Sequence, residues 1–111
     1  MPDATEEHLP LAPRDLLILS VLAEGPLHGY GIIKAVEQRS RSGVLLDPAN
    51  LYRVLRRMRT LEWIRESRGD GSRRRVHEIT ARGREILAAE VRRLEHLLEQ
   101  ARPALVRGDG G

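Results

Sequence analysis

Apolar positions recur along this chain with the period of helices over most of its length and with the period of strands in one short region. From Pro13 the stretch PRDLLILSVLAEG predicts a helix that Pro opens and Gly25 closes. Leu16, Leu17, Ile18, Leu19, Val21 and Leu22 leave it almost no polar face. Such a helix is expected to be buried from two sides, the second by another copy of the chain. A short turn over residues 26–29 leads to a second helix with Tyr30, Ile33 and Val36, joined by Ile32 beside them, inward and Lys34, Glu37, Gln38 and Arg41 outward. Val44, Leu45 and Leu46 form an apolar run long enough for one strand of a small sheet. Asp47-Pro48 then reads as a helix start, a carboxylate N-cap followed by Pro at the first helical position.

In this third helix Leu51, Val54, Leu55, Met58 and Leu61 recur at spacings of three and four and define the buried stripe. The opposite face carries Ala49, Asn50, Arg53, Arg56, Arg57 and Thr60. Residues 64–68 and 73–79 flank Gly69-Asp70-Gly71-Ser72, a composition suited to a hairpin turn. Thr80 is an N-cap for a last helix that Pro103 is expected to end. Its apolar positions Leu87, Val91, Leu94, Leu98, Ala101 and Leu105 make a heptad seam, the pattern of a dimerisation helix. The fold class expected is therefore mainly α with a small β-hairpin wing: a winged helix-turn-helix over residues 13–79 and a C-terminal helix over 80–103. A flexible arm at 1–12 and a disordered tail at 104–111 complete the expectation.

Composition sharpens the picture chiefly through charge. The chain of 111 residues has a net charge of only +3, yet nine arginines lie between Arg53 and Arg75 against Glu62, Glu66 and Asp70, a local net of +6. Such a field neutralises phosphates and releases their counterions, although a solvated basic face would look the same by charge alone. Placed on a third helix followed by a hairpin, it predicts that the helix enters a major groove and the wing reaches the adjacent backbone or minor groove. Asn50 and Arg53, near the start of that helix, are the expected base contacts, since Asn pairs bidentately with adenine and Arg with guanine. The plainer readings are an ordinary early helix residue for Asn50 and a phosphate contact for Arg53. Arg56, Arg57 and at least one of Arg73, Arg74 and Arg75 are expected at phosphates. Leu17, Val21, Leu87, Val91, Leu94, Leu98 and Ala101 are the expected dimer contacts.

Other chemistry is sparse. There is no Cys, and no pair among His8, His28, His77 and His96 has metal-ligand spacing, so neither metal nor cofactor is expected. No nucleophile elbow, HExxH or phosphate loop occurs, and no enzyme activity is expected. The lone Trp63 reads as core. No apolar run is long enough to cross a bilayer, and the acidic N-terminus lacks the core of a secretion signal, so a cytoplasmic protein without membrane association is expected.

Four blocks carry a family likeness: Leu22-Ala23-Glu24-Gly25-Pro26-Leu27-His28-Gly29-Tyr30; Leu51-Tyr52 leading to Leu55-Arg56-Arg57; Ser72-Arg73-Arg74-Arg75; and Ile79-Thr80 with Gly83-Arg84. On these residues the chain resembles the PadR family of bacterial transcriptional regulators, in particular its short subclass with a single C-terminal helix. The resemblance implies a homodimeric repressor, assembled through the first and last helices, that binds a palindromic double-stranded DNA operator and releases it when a small-molecule effector binds. It also implies a Tyr52 hydroxyl at a phosphate and a structural role for His28. Four positions depart from the family's pattern: Arg53 replaces a common Pro, Glu62 a Gly that closes the third helix, Val76-His77 an aromatic pair, and Ala81 a Pro. Some drug-binding relatives stack flat ligands on a Trp of the last helix, which here has no aromatic ring. Two other readings remain open at this point: a winged protein-interaction module with non-specific DNA affinity, and a small-molecule or metal sensor.

Overall fold

The computed structural model describes residues 5–68 and 74–109. Four helices, α1 (Pro13–Ala23), α2 (Gly29–Arg39), α3 (Pro48–Thr60) and α4 (Ala81–Asp109), surround a small sheet of β1 (Leu27–His28), β2 (Ile64–Ser67) and β3 (Val76–Ile79). The sheet is antiparallel in the order β1-β3-β2, with Leu27 opposite His77 and Ile64 opposite Ile79. This is the mainly helical winged helix-turn-helix with a long C-terminal helix that the hydrophobic pattern predicts.

The core is aliphatic. Ile18, Leu19 and Leu22 of α1 meet Ile32 and Val36 of α2, Met58 of α3 and Ile86 of α4, all essentially without solvent contact. Each such side chain contributes about 1.5–3 kcal/mol relative to exposure. Trp63 is buried with them, its indole edge-on to the His8 ring at 5.2 Å. The chain's own elements cover most of α1, which corrects one expected dimer contact: Val21 is 3% exposed and belongs to the internal core. Leu17 stays half-buried.

The predicted strand at Val44–Leu46 does not form. α2 ends with Arg41 and Ser42 both at positive φ (52° and 64°), and the Ser40 hydroxyl accepts the Val44 N–H (3.0 Å), which holds the segment as a link with Leu46 alone buried. The third strand comes instead from Leu27–His28, inside the stretch read as a turn.

The ends of α3 follow from local chemistry. Asp47 caps the helix, its Oδ1 accepting the Asn50 N–H at 2.8 Å, with Pro48 in the first turn. At the other end Trp63 N–H donates to Met58 C=O (2.9 Å) and Glu62 N–H to Arg59 C=O (3.0 Å). This is a Schellman pair with Glu62 at the left-handed position (φ 64°). The helix thus closes where the family's Gly would close it, but with a residue that carries a Cβ.

α4 starts as predicted at Thr80, whose Oγ1 accepts the Gly83 N–H (3.0 Å). A Cβ on Gly83 would overlap the Trp63 carbonyl oxygen, so only glycine lets α4 approach the wing this closely. The helix does not end at Pro103 but continues to Asp109. Residues 95–107 are all exposed, so the Glu99 carbonyl that loses its donor to the proline stays hydrated, and the expected tail is helical as far as Asp109.

Residues 5–12 are not the free arm that their composition suggests. Arg82 donates to Thr5 Oγ1 (2.7 Å), His8 lies on Trp63, and the Leu11 N–H donates to Glu90 Oε2 (2.6 Å). Glu90 is buried on α4, and its carboxyl is held below the usual range by hydrogen bonds from Arg93 (2.5 and 3.0 Å), against the opposing effect of burial and with help from Leu11.

Glu62→Gly is expected to stabilise the protein by about 1 kcal/mol, the order of the left-handed penalty for a residue with a Cβ. Urea unfolding read by circular dichroism checks this, and an unchanged or lower midpoint counts against the left-handed turn.

Candidate nucleic-acid interface

The exposed face of α3 is organised from its cap outward. Asp47 Oδ2 accepts from Asn50 Nδ2 (2.8 Å), and Asn50 Oδ1 accepts from the Arg53 guanidinium. The two expected base-reading residues are therefore joined to each other and to the N-cap. Arg56 lies exposed on the same helix.

Other arginines of the cluster have internal duties that the sequence did not announce. Arg57 pairs with Asp15, a buried carboxylate on α1 that also accepts from Arg14 Nε (3.3 Å). The guanidinium expected at a phosphate thus braces α1 against α3. Arg59 Nη1 binds Glu66 Oε2 (2.6 Å) and Arg75 Nη1 binds Glu66 Oε1 (2.9 Å), tying α3 and both wing strands to one carboxylate. Arg65 pairs with Glu78 across the hairpin (3.1 Å).

In the wing, Arg74 and Arg75 are exposed, and Arg73 lies outside the described residues, as does the predicted turn at 69–72. The His28 Nδ1–H donates to the Arg75 carbonyl (3.2 Å), which fixes the start of β3 and gives the histidine of the HGY block a structural role. Tyr52 is 58% exposed rather than packed by its ring. Tyr30, also exposed, stands 5.5 Å (ring centroid) from the ammonium of Lys34, and it is a surface aromatic that the inward assignment missed.

On α4, Leu87 and Leu94 are half-buried while Val91, Leu98 and Ala101 are exposed, together with Leu97, Leu105 and Val106 outside the core. The second half of the helix stands clear of the core, and the molecule with it measures 61 Å along its longest axis. No helix of the described residues is long and apolar enough to cross a membrane.

His77, which stands where the family pattern has an aromatic residue, is 7% exposed, and its Nδ1 has no hydrogen-bond partner among the described residues. Burial pushes its pKa below the ordinary 6.5; Glu66 opposes this, while Arg59, His28 and Arg75 add to it. The unfolded chain therefore takes up a proton first, and stability is lost as pH falls through 6.5 toward the folded value. Urea midpoints measured between pH 7 and 5.5 are expected to drop more for the wild type than for His77→Gln, and equal drops would remove His77 as the cause.

Comparison with known proteins agrees with this architecture. Residues 18–89 match the model of the transcriptional regulator PadR-like family. A 37.1 kDa protein of transposon TN4556 from Streptomyces fradiae is 40% identical over 82 residues, which cover 74% of this chain; they span 23% of that protein's length. Among solved structures, a PadR family transcription regulator from Clostridium difficile R20291 superposes with a TM-score of 0.62 at 28% identity, covering 80% of this chain and 97% of its own. A transcriptional regulator from Clostridium thermocellum gives 0.67 at 25% identity over 78% and 87% of the two chains. RosR of H. salinarum, at 22% identity and a TM-score of 0.64 over 93% and 96%, shares the fold. With the family match running from the core of α1 through the first turns of α4, the chain belongs to the PadR-like family of transcriptional regulators.

Proposed function

We propose that the protein is a sequence-specific DNA-binding regulator of the short PadR subclass, acting as a homodimeric repressor that binds a palindromic operator and responds to a small-molecule effector. The observation that carries this reading is the exposed face of α3, where Asn50, Arg53 and Arg56 lie in sequence beside a cationic wing. α3 enters the major groove, Asn50 and Arg53 meet base edges, and Tyr52, Arg56 and the wing arginines meet phosphates. Arg57 joins them only by leaving Asp15. The exposed apolar residues of α4 support the homodimer, with Val91, Leu94, Leu98 and Ala101 against the second copy. Two α3 helices related by a twofold axis then reach successive major grooves about 34 Å apart.

Binding of the protein to its own upstream DNA, against a scrambled duplex of equal length and across a salt series, tests the reading. A preference of about a thousandfold for the upstream duplex is expected. Arg53→Ala is expected to cost about 1–3 kcal/mol and to relax base preference at one position of each half-site. Equal binding of both duplexes with one salt slope would favour a winged protein-interaction module instead. Leu98→Glu, a change on the exposed face of α4, is expected to turn a micromolar dimer into a monomer in sedimentation and to weaken operator binding. A variant that sediments as the wild type does would detach α4 from assembly.

A further inference from the structure

Between α2, α3 and the wing lies a cavity of about 230 Å³, lined partly by core residues and partly by residues of the exposed surface. One wall is apolar, built by Ile33, Leu51 and Leu55. The polar wall holds Arg59, Glu66, Arg75 and His77. Both oxygens of Glu66 are taken, one by each guanidinium, so two cations face a single carboxylate and one positive charge stays uncompensated. His77 adds a buried ring whose Nδ1 has no partner among the described residues. The cavity lies below the range of about 300–1,000 Å³ typical of drug-sized ligands, which selects a compact occupant with a body the size of a single ring.

We infer that this cavity is an effector site for a small apolar monoanion, whose hydrocarbon body lies against Ile33, Leu51 and Leu55 and whose anionic group pairs with Arg75 beside His77. The two ends of the site match the two ends of such a molecule: apolar surface for the body and the net positive charge for the head. Arg75 and Tyr52 belong both to the cavity wall and to the proposed DNA-facing surface. An occupant that engages Arg75 withdraws it from phosphate and changes the fit of the wing against α3, so ligand and DNA oppose each other. That coupling rests on the DNA-binding reading; occupation of the cavity does not.

The probe is cyclohexanecarboxylate, compared with its neutral amide at constant ionic strength. Thermal unfolding of the full chain is expected to shift upward with millimolar carboxylate and to shift less with the amide. His77→Phe, which places a ring in the cavity wall and removes the unpartnered nitrogen, is expected to abolish the shift. Arg75→Gln, which keeps a donor toward Glu66 and removes the positive charge, is expected to erase the difference between acid and amide, with circular dichroism checking that the variant is folded. In wild type, saturating carboxylate should weaken binding to the upstream duplex at least tenfold. Absence of any thermal shift, or an undiminished shift in His77→Phe, overturns the site, and equal shifts from acid and amide overturn its charge selectivity. A thermal shift without loss of DNA affinity overturns the coupling. Wild type that binds neither duplex specifically, yet shows the carboxylate shift, overturns the regulator reading while the ligand site stands.

Discussion

The geometry of the whole chain turns on Thr80. The polypeptide leaves α3, makes a left-handed turn at Glu62, forms the hairpin and returns to start α4, and all of these meet at one residue. The Thr80 hydroxyl donates to the Glu62 carbonyl (2.6 Å) and accepts the Gly83 N–H (3.0 Å), while the Thr80 N–H donates to the Trp63 carbonyl (2.9 Å). One side chain therefore satisfies backbone groups from the end of α3 and the beginning of α4. The absence of a Cβ at Gly83 allows this closeness, since the Trp63 carbonyl fills the space one would need. The angle of α4 to α3 is consequently set by directed hydrogen bonds as well as by non-directional apolar packing. Any spacing between two copies of α3 that α4 imposes passes through this junction.

Electrostatics divides the arginine cluster in two. Arg57, Arg59, Arg65 and Arg75 each face a carboxylate of the chain's own, on Asp15, Glu66 or Glu78. These pairs range from partly buried to exposed, and the exposed ones contribute little to stability because water screens them. Their effect is to orient. Glu66 in particular holds α3 and β3 together from a single point. Arg53 and Arg56 are in none of these ion pairs, which leaves their charge on the exposed face of α3.

Much of this was legible in the sequence where the signal is local. The Asp47-Pro48 start, the stripe from Leu51 to Met58, the Thr80 cap and the burial of Trp63 each depend on neighbours within a turn or two. β1 was not legible, because two residues cannot display a strand's alternation and Leu27–His28 exists only through pairing with β3. The docking of the N-terminal arm was hidden for a related reason: Leu11 finds its acceptor on Glu90, 79 positions away, and a glutamate on a heptad's flank looks solvated until something covers it. Val21 was assigned outward because an all-apolar helix implies two covered sides, and the chain itself covers Val21 while leaving Leu16 and Leu17 half-buried. Pro103 was read as a stop, but on a fully exposed stretch water satisfies the released carbonyl. His77 showed in the sequence only as a departure from an aromatic pair; its burial against Arg59, Glu66 and Arg75 depends on residues distant in the chain.

The hydrogen-bonded series Asp47–Asn50–Arg53 has a consequence for the thermodynamics of recognition. A free arginine loses about 2 kcal/mol of rotamer entropy when it is fixed. Here the guanidinium already leans on Asn50, and Asn50 on the cap, so part of that loss is incurred when the helix forms and not when a partner arrives. Asp47 contacts no partner in this arrangement, yet it limits the orientations from which Asn50 and Arg53 start. On the proposed reading, the carboxylate that caps the helix also sets the starting geometry of the residues that meet DNA.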